Sequence, residues 1–191
     1  MTGKLVVIDM QKVFGTPDSD WNTPGFSDVV DPIARLVEAY GDDVLFTRYV
    51  SPEVPHGAWV PYFDDWPFAL QPPDADLWDI TPGLATAAGR QQAAGVGPVT
   101  KTTFSKWGPE LAEFVGADGR MVLVGVSSTC CVIATALAAA DAGVEVWVVS
   151  DATAGKDPPT HAQALDLMGL FAPLIRIVTT EEALAAARSD G

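Results

Sequence analysis

The sequence predicts an α/β protein of three layers, in which helices cover both faces of a six-stranded, mostly parallel sheet. Six short apolar runs rich in β-branched residues have the pattern of strands buried on both faces, as parallel sheets require. Helical patterns separate most of these runs, and strands that alternate with helices are typical of a Rossmann-like sheet. The six runs are residues 5–8, 44–46, 96–100, 121–126, 144–149 and 174–178.

The first predicted helix and a long insertion flank the second strand. Residues 28–40 place apolar side chains at helical spacing, and Pro32 falls in the first turn, where proline is tolerated. Residues 51–95 break the alternation with many prolines. We interpret them as an irregular segment that forms a lid, a wall of a binding site or an oligomer contact. This insertion carries Trp59, Trp66, Trp78, Asp64, Asp65, Asp74, Asp76 and Asp79.

The second half of the chain completes the alternation of strands and helices. Residues 109–115 have the pattern of a short helix, and residues 129–142 that of a long one, which Gly143 ends. The next helix, residues 158–171, opens with prolines and then becomes apolar. The closing helix, residues 181–188, has acidic residues first and an arginine last, as the helix dipole favours.

Composition limits the partners and the compartment. The chain has 191 residues, which fits one domain, residues 1–191, with a sizeable core. Its net charge of −14 at pH 7 opposes nucleic acid and anionic membrane surfaces as partners. Two cysteines give no disulfide framework, and no segment has the pattern of a secretory signal or a membrane span. We therefore expect a cytoplasmic protein.

Two adjacent cysteines, Cys130 and Cys131, lie where the fourth strand turns into the long helix. A thiol there lies near unpaired backbone N–H groups and the positive end of the helix dipole, which favour the nucleophilic thiolate. The same N–H groups can hold an oxyanion. The alternative is that both cysteines only pack, as free cysteine commonly does. A redox pair has less support, because vicinal cysteines close a strained ring and lack the C-x-x-C spacing.

Three chemically active side chains follow predicted strands at the sheet edge where parallel α/β proteins bind ligands. Asp9 ends the first strand, Lys101 ends the third and Cys131 follows the fourth. Each alone is consistent with a helix cap, a solvated charge or a packed thiol. Together they predict acyl transfer: Asp9 takes the thiol proton, Lys101 stabilises the thiolate and holds Asp9, and Cys131 attacks a carbonyl to form an acyl-enzyme.

The two histidines of the chain allow an alternative type of nucleophilic site. His56 lies in the insertion and His161 near the start of a late helix, so a Cys–His pair of the papain type is an alternative with less support. A nucleotide site has less support still, because no G-x-G-x-x-G follows the first strand.

A resemblance to a known family rests on three blocks that occur in order. They are VVIDMQKVF at residues 6–14, ITPGLATAAGRQQAAGVGPVTKTTFSKW at residues 80–107, and GVSSTCCVIATALAAADAGVEVWVVSDA at residues 125–152. These blocks resemble the isochorismatase-like cysteine hydrolases, a family that includes nicotinamidase and N-carbamoylsarcosine amidase. The resemblance covers most of the chain.

The resemblance implies roles for particular residues. Asp9 and Lys101 match the family's catalytic aspartate and lysine. Cys131 rather than Cys130 matches the nucleophile, which directly precedes the valine of C-V-x-x-T-A.

The same resemblance implies an oxyanion hole and an assembly. The backbone N–H groups of Ser127 and Cys131 would hold the oxyanion, with a cis peptide bond at Val126–Ser127. Relatives are usually dimers or tetramers, so we expect a homodimer or homotetramer.

The chain also departs from the family pattern. Nicotinamidases carry a metal site of aspartate and histidines after the second strand, whereas this segment reads FTRYVSPEVPHGAW with His56 alone. We therefore expect no metal, no cofactor and a substrate other than nicotinamide. Thr129 stands where aspartate is common, and Trp107 where phenylalanine is usual. The founding isochorismatases cleave a vinyl ether and lack the nucleophilic cysteine, so Cys131 favours C–N hydrolysis.

Aromatic residues near the predicted site are candidates for the walls of a substrate pocket, although core or interface packing is the alternative. The acids near them, Asp64 and Asp65 in particular, suggest a cationic or amino-bearing substrate held by aromatic–cation contact. The candidate walls are Phe14, Trp59, Trp66 and Trp107.

The sequence therefore predicts a metal-independent hydrolase that cleaves the C–N bond of a small amide, lactam or N-carbamoyl compound through an acyl-enzyme on Cys131. Two alternatives remain open. One is a vinyl-ether hydrolase of the isochorismatase kind, which does not need Cys131. The other is a catalytically silent protein on the same fold that binds a small molecule or another protein.

Overall fold

Six parallel strands form one sheet in the computed structural model, which describes residues 3–116 and 119–189. The strand order is β3-β2-β1-β4-β5-β6, and every neighbouring pair is parallel, so the prediction of a three-layer α/β sheet is confirmed. The strands are β1 (Lys4–Ile8), β2 (Val44–Tyr49), β3 (Val99–Lys101), β4 (Arg120–Val126), β5 (Glu145–Ala154) and β6 (Ile175–Val178).

Helices connect the strands, and within the described ranges none is long and apolar enough to cross a membrane. Two 3₁₀ turns lie in the insertion, and a π-helical turn, Ser128–Val132, replaces the first turn of the long helix predicted at residues 129–142. The α-helices are α1 (Lys12–Gly15), α2 (Phe26–Tyr40), α3 (Trp59–Asp65), α4 (Pro82–Ala93), α5 (Pro109–Val115), α6 (Ile133–Asp141), α7 (Pro158–Gly169) and α8 (Thr180–Ser189).

Residues 51–95 are more regular than predicted. They contain α3, the 3₁₀ turns and the 12-residue α4, so the prediction of an irregular segment is wrong for these elements. Helix α4 begins with Pro82 in its first turn, where proline is favourable, and it supplies the crossover that the parallel strands β2 and β3 require. Its sequence signal is weak because only Leu84 and Ala88 are buried among alanines, glycines and polar residues.

The sheet is buried on both faces, as its apolar strands predicted. Leu5 and Val7 of β1 pack in the core under α2, α4 and α8, whereas Val6 and Ile8 pack on the opposite face against α5, α6 and α7. All four side chains are fully buried. Two apolar layers therefore fix β1 in place and set the position of the residue that follows it.

A third apolar cluster lies between the carboxyl end of β2 and the insertion. The buried side chain of Gln11 ties this cluster to the sheet. Its amide donates to the carbonyls of Tyr49 and Trp78 at 2.8 Å each, and its carbonyl accepts from the Tyr49 N–H at 2.8 Å. Three buried hydrogen bonds thus position the aromatic side chains of the insertion against β2.

Candidate active site

The candidate site lies at the carboxyl edge of the sheet, where the strand order reverses between β1 and β4. Chains that leave neighbouring strands in opposite directions open a crevice at such a point. Asp9 follows β1 and Cys131 lies in the π-helical turn after β4, so these two predicted residues meet at the crevice.

Asp9 is fully buried and held at both carboxylate oxygens. Its backbone has φ of 47°, a conformation that is uncommon outside glycine. The Thr47 hydroxyl accepts from the Asp9 N–H at 3.2 Å and donates to Asp9 Oδ1 at 2.7 Å. The other oxygen, Oδ2, lies 2.9 Å from Nζ of Lys106. Thr47 on β2 and Lys106 in the loop after β3 therefore orient the carboxylate before any ligand arrives.

Lys106 is the cation of this pair, and both side chains have no exposed surface. Its ammonium also donates to the Thr103 carbonyl at 2.7 Å and lies 5.0 Å from the centroid of the Tyr49 ring. A buried charge needs such partners because it has lost its hydration. The Lys106 ammonium is thus compensated by a carboxylate, a carbonyl and an aromatic face.

The structure does not bring Lys101 to Asp9, and this corrects the prediction that Lys101 holds the carboxylate. Nζ of Lys101 donates to both carboxylate oxygens of Glu110 at 2.8 Å, in a partly exposed ion pair. Lys101 ends β3, and β2 separates β3 from β1, so its side chain starts about 10 Å from Asp9. The loop that follows β3 returns across the sheet edge and delivers Lys106 instead.

Cys131 is buried in the π-helical turn, with 4% of its surface exposed. Thr135 ties this turn to the lysine loop: its hydroxyl donates to the Cys131 carbonyl at 2.7 Å and accepts from the Lys106 N–H at 2.9 Å. Because Thr135 is itself fully buried, one side chain fixes the thiol-bearing turn relative to the Asp9–Lys106 ion pair.

The pKa of the Cys131 thiol is raised well above its ordinary value. Burial is the largest cause, the negative charge of Asp9 adds to it, and the Lys106 ammonium only partly opposes both. From the helix dipole we expected the pKa of Cys131 to be lowered, and this expectation is wrong in direction. Cys131 is therefore a neutral thiol at neutral pH, placed beside the Asp9 carboxylate.

The turn itself has the backbone geometry predicted for it. The Val126–Ser127 peptide bond is cis. The Ser127 carbonyl accepts from the N–H groups of Cys130 and Val132, at 3.0 and 3.1 Å, which closes the chain around Cys131.

Cys131 opens onto an aromatic cavity of about 350 Å³. Of the four candidate pocket walls named from the sequence, Phe14 and Trp66 line this cavity, whereas Trp59 and Trp107 do not. Trp59 supports the wall from behind, with its ring 5.3 Å from that of Phe104, and Trp107 packs against the core on the α5 and α6 face. The lining is Phe14, Asp20, Trp21, Asn22, Thr23, Tyr49, Tyr62, Trp66, Phe104, Ser127, Thr129, Cys130, Cys131 and Lys156.

Four of the aromatic walls were not predicted: Trp21, Tyr49, Tyr62 and Phe104. Tyr49 ends β2 at the ligand-binding edge of the sheet, and Phe104 lies within residues 80–107, the second of the three family blocks. Their positions in the sequence could therefore have identified both as candidates. No sequence signal identified Trp21, because it lies in a loop outside the three blocks. It nonetheless stacks on Phe14 at 6.1 Å and 7° and contacts Phe68 edge-on at 5.3 Å.

The acids that suggested a cationic substrate lie elsewhere. Asp64 and Asp65 are exposed and do not line the cavity. The charged side chains that do are one acid, Asp20, and one base, Lys156, so the lining gives no reason to favour a cation.

Neither histidine lines the cavity onto which Cys131 opens. Nδ1 of His161 is 2.9 Å from Oγ of Ser128, and burial lowers the pKa of this imidazole. His56 is exposed in the loop before α3. The geometry therefore does not support a Cys–His pair. Within residues 3–116 and 119–189, no group of three or more His, Cys, Asp or Glu side chains is placed to hold a metal ion.

The buried ion pair predicts a difference between the two lysines. Lys106→Met leaves Asp9 charged and unpaired in the interior, and we expect it to lower the free energy of unfolding by about 3–5 kcal/mol. Lys101→Met removes a partly exposed pair and should cost less than about 1 kcal/mol. Urea denaturation at pH 7 measures both. Equal losses for the two variants would contradict the assignment.

The raised thiol pKa predicts how alkylation depends on pH. In a Cys130→Ser background, the rate of iodoacetamide reaction at Cys131 should rise with an apparent pKa above the ordinary thiol value of about 8.5. Asp9→Asn should lower this pKa, because it removes the negative charge that opposes the thiolate. A pKa that rises or stays constant in Asp9→Asn would show that Asp9 does not act on the thiol.

Known structures with similar folds include several hydrolases. A cysteine hydrolase from Pseudomonas syringae pv. phaseolicola has a TM-score of 0.80 at 20% identity, covering 100% of this chain and 94% of that one. Bacillus subtilis nicotinamidase has a TM-score of 0.75 at 19% identity, with coverages of 93% and 99%. N-carbamoylsarcosine amidase from Thermoplasma acidophilum has a TM-score of 0.71 at 20% identity, with coverages of 95% and 98%.

Sequence comparison gives the family directly. No curated protein matches the chain significantly. The model of the isochorismatase domain matches residues 4–182, which is nearly the whole chain and contains Asp9, Lys106 and Cys131. The chain therefore belongs to the isochorismatase domain family.

Proposed function

We propose that this protein is a cysteine hydrolase that cleaves the C–N bond of a small amide, lactam or N-carbamoyl compound through an acyl-enzyme on Cys131. The observation that carries the proposal is the buried Asp9–Lys106 ion pair, which lies beside Cys131, a residue that lines the aromatic cavity. A thiol, a carboxylate able to take its proton and a cation that fixes the carboxylate are the parts that acyl transfer needs.

The first half of the reaction forms the acyl-enzyme. Sγ of Cys131 bonds to the substrate carbonyl carbon while its proton moves to Asp9, because the raised thiol pKa leaves little free thiolate. The backbone N–H groups of Ser127 and Cys131 hold the resulting oxyanion. Asp9 then gives the proton to the leaving nitrogen, the C–N bond breaks and an amine departs.

The second half releases the acid. A water molecule attacks the thioester while Asp9 takes one of its protons, and the C–S bond breaks as that proton passes to the Cys131 sulfur. The products are a carboxylic acid and the restored thiol. Asp9 thus acts as base and then acid in each half.

Lys106 acts through charge and position. Its ammonium lies 2.9 Å from Asp9 Oδ2, so it keeps that carboxylate oriented, and its positive charge favours the anionic sulfur that develops during attack. The sequence suggested Lys101 for this role, and the contact between Lys106 and Asp9 supports assigning it to Lys106.

The proposed chemistry uses no metal and no cofactor. The family resemblance places the metal ligands of nicotinamidases, an aspartate and histidines, in the segment after β2. In this chain, His56 is the one histidine of that segment, and it is exposed. The thiol supplies the nucleophile, and the backbone N–H groups stabilise the oxyanion through hydrogen bonds, so no step needs a Lewis acid.

The family relatives support the reaction type. The similar structures are described as a cysteine hydrolase, a nicotinamidase and an N-carbamoylsarcosine amidase, and the last two names state C–N substrates.

We further propose a cytoplasmic homodimer or homotetramer. Exposed large apolar side chains near the end of α7 offer a contact surface, because large apolar patches are uncommon on monomers. They are Leu167, Leu170, Phe171 and Leu174.

Intact-protein mass spectrometry tests the proposal. The protein is quenched in acid during turnover of a panel of small primary amides, lactams and N-carbamoyl amino acids. We expect a mass increase equal to the acyl group, mapped to Cys131, and its loss in Cys131→Ala. Asp9→Asn should slow amide hydrolysis at least about 100-fold.

Cys130→Ala is the matched control, since it removes the neighbouring thiol, and the adduct should persist in it. Hydrolysis that survives Cys131→Ala would instead favour a cysteine-independent ether hydrolase. An absence of turnover and of adduct across the panel would favour a binding protein.

A further inference from the structure

Ser128 is a fully buried serine in the π-helical turn that carries Cys131, and the proposed mechanism does not use its side chain. It directly follows Ser127, one of the two residues whose N–H groups are proposed to hold the oxyanion. Its hydroxyl lies 2.9 Å from Nδ1 of His161, which belongs to α7. Because a buried hydroxyl without a partner is unfavourable, this hydrogen bond ties the start of the turn to α7.

The contact between Ser128 and His161 is enclosed by the short connection from β5 to α7. Gly155 lies in this connection, and a Cβ atom at Gly155 would stand 2.6 Å from Oγ of Ser128 and 3.1 Å from Cβ of His161. A separation of 2.6 Å is too short for a Cβ atom, so a side chain at this position would displace the hydroxyl. The glycine therefore leaves room for the hydrogen bond and confines it closely.

Two side-chain hydrogen bonds hold the turn, one near each of the proposed oxyanion donors. His161 binds Ser128, the neighbour of Ser127, and Thr135 donates to the Cys131 carbonyl at 2.7 Å. Thr135 lies on α6, which continues the turn, whereas His161 reaches the turn from α7. His161 thus fixes the start of the turn from outside the segment to which the turn belongs.

The His161 ring acts on the turn as a neutral group. Burial lowers the pKa of His161, although a hydrogen bond to the Ser150 backbone opposes this effect, so the ring is uncharged at neutral pH. His161 does not line the aromatic cavity and makes no contact with a substrate there. Any influence of His161 on the reaction therefore passes through the Ser128 hydroxyl and the backbone of the turn.

We propose that His161 is a positioning residue, which acts through the Ser128 hydroxyl to hold the N–H groups of Ser127 and Cys131 where the oxyanion forms. This inference rests on the proposed function. Oxyanion donors act at hydrogen-bond distance, and a small displacement removes much of their effect. Loss of the bond from His161 should therefore weaken the binding of an oxygen atom at the turn without changing the reactivity of the thiol.

Two reagents that react with the same sulfur separate these effects. Benzaldehyde adds to Cys131: an S–C bond forms, and the thiol proton ends on the aldehyde oxygen, which accepts hydrogen bonds from the two N–H groups. Iodomethane transfers its methyl group to the sulfur and releases iodide and a proton, so no oxygen enters the site. Both reagents are used in a Cys130→Ser background, which is called the parent protein below.

The adduct and the methylation are measured independently. Benzaldehyde labelled with ¹³C at its carbonyl shows the adduct by NMR as a tetrahedral carbon, and titration gives its dissociation constant. Mass spectrometry of the intact protein gives the methylation rate. Three variants break the bond in different ways: His161→Phe and Ser128→Ala each remove one partner, whereas Gly155→Ala keeps both partners and displaces the hydroxyl.

We expect each of these variants to weaken the benzaldehyde adduct about tenfold and to change the methylation rate less than about twofold. The double variant His161→Phe/Ser128→Ala should bind benzaldehyde as weakly as either single variant, since both substitutions remove the same bond.

Thr160→Val is the matched control. Thr160 precedes His161 on α7, and its hydroxyl donates to Asp157 Oδ1 at 2.8 Å, at the start of the same helix. This variant should leave both the dissociation constant and the methylation rate unchanged.

Three results would overturn the role of His161. One is a methylation rate that falls as much as the adduct weakens, because the turn as a whole would then be disturbed. Another is a set of losses that multiply in the double variant, because His161 would then not act through Ser128. The third is an adduct as strong in the three single variants as in the parent protein, which would leave the nucleophile and the proposed function intact.

The parent protein separates this inference from the proposed function. If the parent protein forms no benzaldehyde adduct although iodomethane methylates Cys131, the proposed function itself fails, and the role of His161 fails with it.

Discussion

The ion pair between Asp9 and Lys106 is the interaction on which the rest of the site depends. Both side chains are fully buried, 2.9 Å apart, in an interior that would otherwise exclude charge. Thr47 fixes the second carboxylate oxygen, Thr135 links the lysine backbone to the thiol-bearing turn, and the Tyr49 ring faces the ammonium. Strand β2, the loop after β3 and helix α6 therefore contribute to holding one charged pair in place, and the pair in turn influences the pKa of Cys131.

The surroundings of Cys131 explain why the thiol is not ionised in advance. Burial and the Asp9 charge raise the pKa of Cys131, and together they outweigh the opposing effect of the Lys106 ammonium. A neutral thiol beside a fixed carboxylate is stable in the empty site, and in the proposed reaction it loses its proton only as a carbon–sulfur bond forms. Cys130 also lines the cavity but is exposed, whereas Cys131 is buried beside Asp9.

The sequence predicted the sheet and most helices, and it predicted that Asp9 and Cys131 meet at the sheet edge, because these features follow from local patterns. Apolar runs define strands buried on both faces. Asp9 directly follows β1, and Cys131 lies in the turn after β4, which neighbours β1 in the sheet. Lys101 was chosen because it ends a strand, but strand order decides which strand ends meet, and β3 lies two strands away from β1. Lys106 and Trp21 reach the site through loops, whose paths depend on tertiary packing. Helix α4 escaped prediction since an alanine-rich helix with two buried residues has almost no periodic signal.

A crystal structure of the protein with benzaldehyde bound tests the central claim most directly. The account predicts a single bond from the aldehyde carbon to Sγ of Cys131, with the aldehyde oxygen accepting hydrogen bonds from the N–H groups of Ser127 and Cys131. The phenyl ring should lie in the aromatic cavity, and the Asp9–Lys106 ion pair should remain intact behind the sulfur. An aldehyde bonded to Cys130, or one that lies in the cavity with its oxygen directed away from both N–H groups, would contradict the account.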